Sequence, residues 1–240
     1  MFGAGGGTNS YEEVEDADVV FLWGSNAREA HPIWFHHLLK GIRHNNTRLY
    51  VMDPRRTSSA KWADVWLGLR VGSDIALANA MAHEIIASGL THPGFIANAT
   101  EGFEAYRTAV QDYSPEAVAE TTGIPADVIR EAARTFATAK RAMICWTLGI
   151  TEHHNAVDNV LSLINLCLLT GHVGRWGSGC NPLRGQNNVQ GGGDMGAIPN
   201  KLPGFQDIEL DAVARERIGK LWGTEIQPKY GKNLTQMLHA

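Results

Sequence analysis

Asp18-Val19-Val20-Phe21-Leu22-Trp23-Gly24 is the stretch on which the fold turns. It is a short apolar, β-favouring run that stops at a glycine. Pro32 to about His44 then reads as a helix, with Ile33, Leu38, Leu39 and Ile42 on a rough stripe. Arg48-Leu49-Tyr50-Val51-Met52-Asp53 is a second strand, halted by Pro54. Strand, turn, helix and strand in that order imply parallel strands joined by a crossover helix. The pattern continues outward. Trp66 to Val71 reads as a third strand, and Asp74 to Ser88 as a helix with Gly89 just past its end. Helical pieces follow, broken by Pro93, Pro115 and Pro125, the last in the first turn of a helix to about Thr138. Ala142 to Leu148 is a buried strand that turns at Gly149, and Val157 to Leu169 is an apolar helix. The expectation is an open α/β sheet with ligands at the carboxyl ends of its strands. Those ends are Gly24-Ser25-Asn26, Asp53-Pro54-Arg55-Arg56 and Gly149-Ile150-Thr151.

Composition narrows the function. The 240 residues are 44% hydrophobic and 19% charged, enough for a substantial core and too apolar for disorder. A formal net charge of −4 lacks the basic excess of a nucleic-acid binder. No apolar run reaches the roughly 18 residues of a membrane span, and the Gly-rich, uncharged Met1 to Ser10 is no signal peptide. Cys145, Cys167 and Cys180 form no C-x-x-C pair, which points to a reducing, cytoplasmic setting and away from a cysteine-only zinc or iron–sulfur site.

Five groups of residues are candidate sites. Gly3-x-Gly5-x-x-Thr8 resembles a phosphate-cradling fingerprint, but it precedes the first strand instead of following one. Gly24, Ser25, Asn26 and Glu29 offer close backbone approach and short polar side chains, or else form a capped strand–helix turn. Asp53 stands where ribose hydroxyls are held in doubly wound sheets, and Arg55 and Arg56 beside it suit phosphate oxygens. His31, His36-His37 and His153-His154 lack metal-ligand spacing, because adjacent helical histidines point apart; no metal ligand is assigned. The fifth is Asn181-Pro182-Leu183-Arg184-Gly185-Gln186-Asn187-Asn188-Val189-Gln190-Gly191-Gly192-Gly193-Asp194-Met195-Gly196, where one guanidinium sits among amides and glycines. Uncharged amides suit a heteroaromatic, phosphorylated ligand, and Arg184 is able to clamp a small carboxylate with two parallel hydrogen bonds.

This run, with Gly24-Ser25-Asn26, Asp53-Pro54-Arg55-Arg56, Val71-Gly72-Ser73-Asp74 and Leu148-Gly149-Ile150-Thr151, resembles the molybdopterin oxidoreductase family. Within it, Asn181 to Gly191 is similar to the formate dehydrogenase branch, catalytic (alpha) subunit. The resemblance implies an open, mostly parallel Rossmann-like sheet with helices on both faces. It divides the chain into a dinucleotide-binding domain at 1–171 and, at 172–240, a Gly/Asn-rich active-site loop with the start of a neighbouring domain. It also implies a bis(molybdopterin guanine dinucleotide) cofactor with molybdenum or tungsten. Asn26 and Glu29 would hold the guanine dinucleotide, and Asp53, Arg55, Gly72 and Asp74 would line the same cofactor. Gly149 and Thr151 would lie near the pterin, Gln186 and Asn188 at the metal-proximal end, and Arg184 would hold formate on its way to carbon dioxide.

The departures from the family are specific. Glu152 stands where the family often has glutamine, and an acid beside an anionic pterin must be protonated or point away. The family's cysteine or selenocysteine followed by histidine would lie upstream of Met1. So would its four-cysteine motif, so the 4Fe-4S cluster of the full subunit is not in this chain. The resemblance therefore implies the middle of a larger subunit, inactive alone and partnered by the rest of that subunit or by electron-transfer subunits. Two other readings stand beside it: a non-catalytic dinucleotide-binding or subunit-pairing module, and another nucleotide-dependent α/β oxidoreductase.

Overall fold

A computed structural model of the chain describes residues 6–232 and 234–238. Gly3 and Gly5 of the glycine fingerprint lie outside them. After a 3-10 turn at Glu12–Asp16 come β1 (Val19–Trp23), α1 (Ala27–Ala30), α2 (Pro32–His44), β2 (Arg48–Met52) and β3 (Val65–Leu67). Then follow α3 (Asp74–Ala87), α4 (Pro93–Ala99), α5 (Phe103–Ala109), α6 (Pro115–Thr122) and α7 (Ala126–Thr138). β4 (Ala142–Trp146), α8 (Leu148–Thr151), α9 (Ala156–Thr170) and β5 (Gly179–Pro182) complete the first compact unit, Gly6–Leu183. From Arg184 onward the second unit holds α10 (Val189–Asp194), β6 (Lys201–Leu202), β7 (Gln206–Asp207), α11 (Ala212–Trp222) and α12 (Leu234–Leu238).

The sheet has the order β3-β2-β1-β4-β5, and every pairing in it is parallel. β1 is central and buried along its whole length, which is why it reads as a continuous apolar run instead of an alternating one. Its residues divide between two cores. Val19, Phe21 and Trp23 join Tyr50, Met52, Ile144 and Trp146 against α3, α7 and α9. Val20 and Leu22 join Leu49, Val51, Met143 and Cys145 against Trp34, Phe35 and Leu38 of α2. The helices thus cover both faces, as the sequence pattern implies.

Three local readings change. The third strand is shorter than Trp66 to Val71, because Leu69 N–H turns back to the Leu67 carbonyl (3.0 Å). Leu148 to Thr151 winds into one helical turn instead of extending the strand. The stretch after Gly171, read as aperiodic, supplies β5: Gly179, Cys180, Asn181 and Pro182 take register against Met143 to Trp146. The three cysteines are free and buried, and burial raises the Cys145 and Cys167 thiols, so they pack as small apolar groups. The second unit has its own small core of Leu202, Ala214 and Ile218 with Ile208 and Ile226 packed against it. Among the described residues no helix is long and apolar enough to cross a membrane.

Candidate functional site

The chain leaves β1 towards β2 and β3 on one side, and β4 pairs with β5 on the other. Adjacent strands whose connections diverge open a crevice at their carboxyl ends. There the two backbones touch. Gly149 N–H donates to the Gly24 carbonyl at 3.1 Å, and Thr147 Oγ1 donates to the same oxygen at 2.8 Å. A Cβ on Gly149 would lie 2.6 Å from both Gly24 Cα and Gly24 O. Gly24 itself sits at φ +55°, with space for no side chain.

Beside this contact a cleft of about 290 Å³ is lined by Gly24, Asn26, Asp53, Arg55, Asp74 and Gly149, all candidates from the sequence. It lies near the lower end of the size range of small-molecule pockets. Asp53 is 6% exposed; its Oδ1 accepts from the Arg55 N–H at 2.8 Å. Asp74 opens α3, is 7% exposed, and accepts from Trp23 Nε1 at 2.8 Å. Burial pushes both carboxyls above the usual range, and the Asp53 charge adds to the rise at Asp74. The two acids therefore share one field, and each keeps oxygen lone pairs for a ligand.

Asn26 occupies the N-cap position of α1 without capping it. Its Oδ1 instead accepts from Ser58 Oγ (2.9 Å) and Ser59 Oγ (3.0 Å), tying the loop after β1 to the loop after β2. Hydrogen bonds from Ser58 and Asn26 hold the Glu29 carboxyl below its ordinary value, and Glu29 does not line the cleft. Gly72 makes the turn into α3 at φ +84°, between the lining residues Val71 and Asp74. Thr151 and Glu152 are exposed at the end of α8 and outside the lining.

Arg184, Gln186 and Asn188 belong to the second compact unit and are exposed. Asn188 adopts φ +52°, rare for a residue with a side chain. Its side chain fills the space a Cβ on Gly191 would need, 2.3 Å from Asn188 Oδ1, which explains the glycine there. The carbonyl of Asn188 accepts from Gly192 N–H (2.8 Å) in the first turn of α10.

The sequence singled out neither Arg70 nor Thr147, and it weighed His153 only as a metal ligand; all three line the cleft. His153 Nε2 donates to the Gly149 carbonyl at 2.8 Å and so braces the glycine contact. His37 pairs with Glu15, and among the described residues no three His, Cys, Asp or Glu gather to hold a metal.

Comparison with known proteins agrees with this fold. The model of the molybdopterin oxidoreductase family matches residues 3–237. Over 99% of its length the chain is 43% identical to formate dehydrogenase H of Escherichia coli, and it covers 33% of that protein. It is 44% identical, again over 99%, to the F420-dependent formate dehydrogenase 2 subunit alpha of Methanococcus maripaludis, covering 35% of it. The chain thus spans about a third of the length of these curated relatives. Among solved structures, acetylene hydratase from Pelobacter acetylenicus superposes with a TM-score of 0.62 at 31% identity, over 67% of this chain and 24% of that one. With the family model matching nearly end to end on a doubly wound sheet, the chain belongs to the molybdopterin oxidoreductase family.

Proposed function

We propose that this chain is the central bis(molybdopterin guanine dinucleotide)-binding region of a formate dehydrogenase catalytic subunit, whose reaction takes formate to carbon dioxide, a proton and two electrons. The observation that carries the reading is the donor set of the cleft. Two buried carboxyls, Asp53 and Asp74, offer acceptors for ribose hydroxyls and ring N–H groups. Arg55 offers a planar guanidinium for phosphate, and the bare backbone of Gly24 and Gly149 admits a flat ligand. These groups fit the guanine dinucleotide arm of the cofactor. Similarity of 43% and 44% to formate dehydrogenases supports formate as the substrate.

In this reading Gly24, Asn26, Glu29, Asp53, Arg55, Gly72 and Asp74 hold the dinucleotide. Gly149 and Thr151 approach the pterin, and Gln186 and Asn188 the metal-proximal end. When bound, the cofactor supplies the two-electron chemistry of molybdenum or tungsten. Arg184 grips both formate oxygens through its guanidinium fork, orients the C–H bond, and stabilises negative charge as that bond is broken. The remaining parts of the subunit and electron-transfer subunits are the partners, and the cytoplasm is the compartment.

Calorimetry on the chain tests the reading. Guanosine diphosphate should bind, and Asp53→Ala should weaken that binding by about 1–3 kcal/mol, the scale of a lost charge-assisted hydrogen bond. Tight NAD binding with no guanine-nucleotide binding would overturn it in favour of an ordinary nucleotide-dependent enzyme.

A further inference from the structure

The cleft holds acids and guanidiniums that form no close ion pair with one another, although the Arg55 charge acts on Asp53. Asp53, Asp74, Arg55 and Arg70 all line it, yet no salt bridge joins either arginine to either aspartate. Arg70 is exposed, and its backbone is fixed on both sides. Its N–H donates to the Thr122 carbonyl at 2.8 Å, and its carbonyl accepts from Ser73 N–H (3.1 Å) and Ser73 Oγ (2.6 Å). Its side chain lies over Gly123, where an added Cβ would stand 3.4 Å from Arg70 Cγ and 3.5 Å from Nε. The stem is thus ordered against the end of α6, while the guanidinium has no hydrogen-bond or ion-pair partner among the described residues.

We infer that Arg70, with Arg55, forms a two-guanidinium clamp for the diphosphate of the bound dinucleotide, while Asp53 and Asp74 take its hydroxyl and N–H donors. The inference rests on the dinucleotide reading above and adds a residue to it. Two planar forks presented from the turns after β2 and β3 match the oxygens of two adjacent phosphoryl groups. Acids and guanidiniums in one cleft make the site selective for a ligand that carries both hydrogen-bond donors and anionic oxygens. A free anion satisfies only half of it, and a nucleoside only the other half.

Calorimetry with guanosine diphosphate, guanosine and inorganic pyrophosphate, on the full chain and on Arg70→Ala and Arg70→Gln, tests the clamp. Gln keeps most of the stem over Gly123 and removes the charge. Both variants should lose about tenfold or more in affinity for guanosine diphosphate, the effect of one lost charge-assisted pair, with guanosine affinity unchanged within about twofold. Equal losses for the two ligands, or melting of both variants well below the parent chain, would make Arg70 a structural prop and overturn the clamp. Unchanged guanosine diphosphate affinity would overturn it too. Pyrophosphate binding as tightly as guanosine diphosphate would reduce the site to a plain anion receptor. Failure of the parent chain to bind either guanine ligand would instead remove the dinucleotide reading, and the clamp with it.

Discussion

Glycine serves opposite purposes in the strand-end cleft and in the segment after Arg184. At Gly24 and Gly149 it lets two strand ends touch backbone to backbone, so the glycines are part of the scaffold. In α10, Gly192 has nothing within 4 Å of where its Cβ would be, and Gly191 is required only because the Asn188 side chain folds over it. The first region is rigid by contact with a parallel sheet, and the second is shaped by its own side chains. Residues that only bind are easier to change than residues that also hold the sheet together, and this difference can be measured.

The largest expected effect is at the glycine contact. Gly149→Ala places a methyl group 2.6 Å from Gly24 backbone atoms that belong to the adjoining strand end and cannot move independently. It should cost on the order of 4 kcal/mol of unfolding free energy. Gly72→Ala is the control: nothing lies within 4 Å there, so only its φ of +84° is penalised. That variant should lose about 1 kcal/mol. Urea titration of the two variants separates close approach from backbone conformation. Equal losses would mean that the Gly24–Gly149 contact does not brace the cleft.

The second effect lies on the far side of the scaffold, at His172. It is 1% exposed, donates Nε2–H to the Phe136 carbonyl (3.0 Å), and accepts at Nδ1 from Arg175 (2.8 Å). Burial pushes its pKa down from 6.5 to about 4. The unfolded chain therefore binds a proton near pH 6.5 that the folded chain refuses until about pH 4. The stabilisation is complete above pH 6.5 and is lost as pH falls to about 4, amounting to about 3 kcal/mol at 1.36 kcal/mol per pH unit. Asp53 and Asp74 act in the opposite sense, since acid relieves carboxyls that burial has raised. His172→Asn should accordingly flatten the fall in stability between those pH values. An unchanged slope would assign the acid sensitivity to other groups.

The same two regions show what the sequence makes legible. β1, β2, β4, α2, α3 and α9 are visible because both faces of the sheet are covered, which turns strands into unbroken apolar runs between helical periods. β5 is not visible: Gly179-Cys180-Asn181-Pro182 has no strand preference, and pairing with β4 imposes its conformation. In the cleft, Asp53 and Asp74 are legible as acids at a strand end and at a helix start. Arg70 is not, because nothing local separates it from a surface arginine until the turn after β3 brings it to the cleft that Asp53 lines. Arg184 is the reverse case. Its setting of amides and glycines stands out in the sequence although it belongs to no periodic element.

That contrast gives the last test. Arg184 lies outside the sheet unit, so a change there should alter chemistry without altering the fold or the cofactor load. With this segment carried in a full-length subunit, Arg184→Lys should retain metal and pterin near normal, because the dinucleotide contacts proposed at Asp53, Arg55 and Asp74 are untouched. Lysine keeps the positive charge but loses the planar fork that grips both formate oxygens. A formate held by one point of charge rotates, its C–H bond leaves the productive line, and a displacement of about 1 Å costs about a hundredfold in rate. Formate-dependent dye reduction per metal atom is the measurement. Near-normal turnover in the lysine variant would take Arg184 out of the substrate site. Lost cofactor with turnover per metal preserved would make Arg184 an anchor like the strand-end residues, and the two regions would then differ in backbone shape but not in purpose.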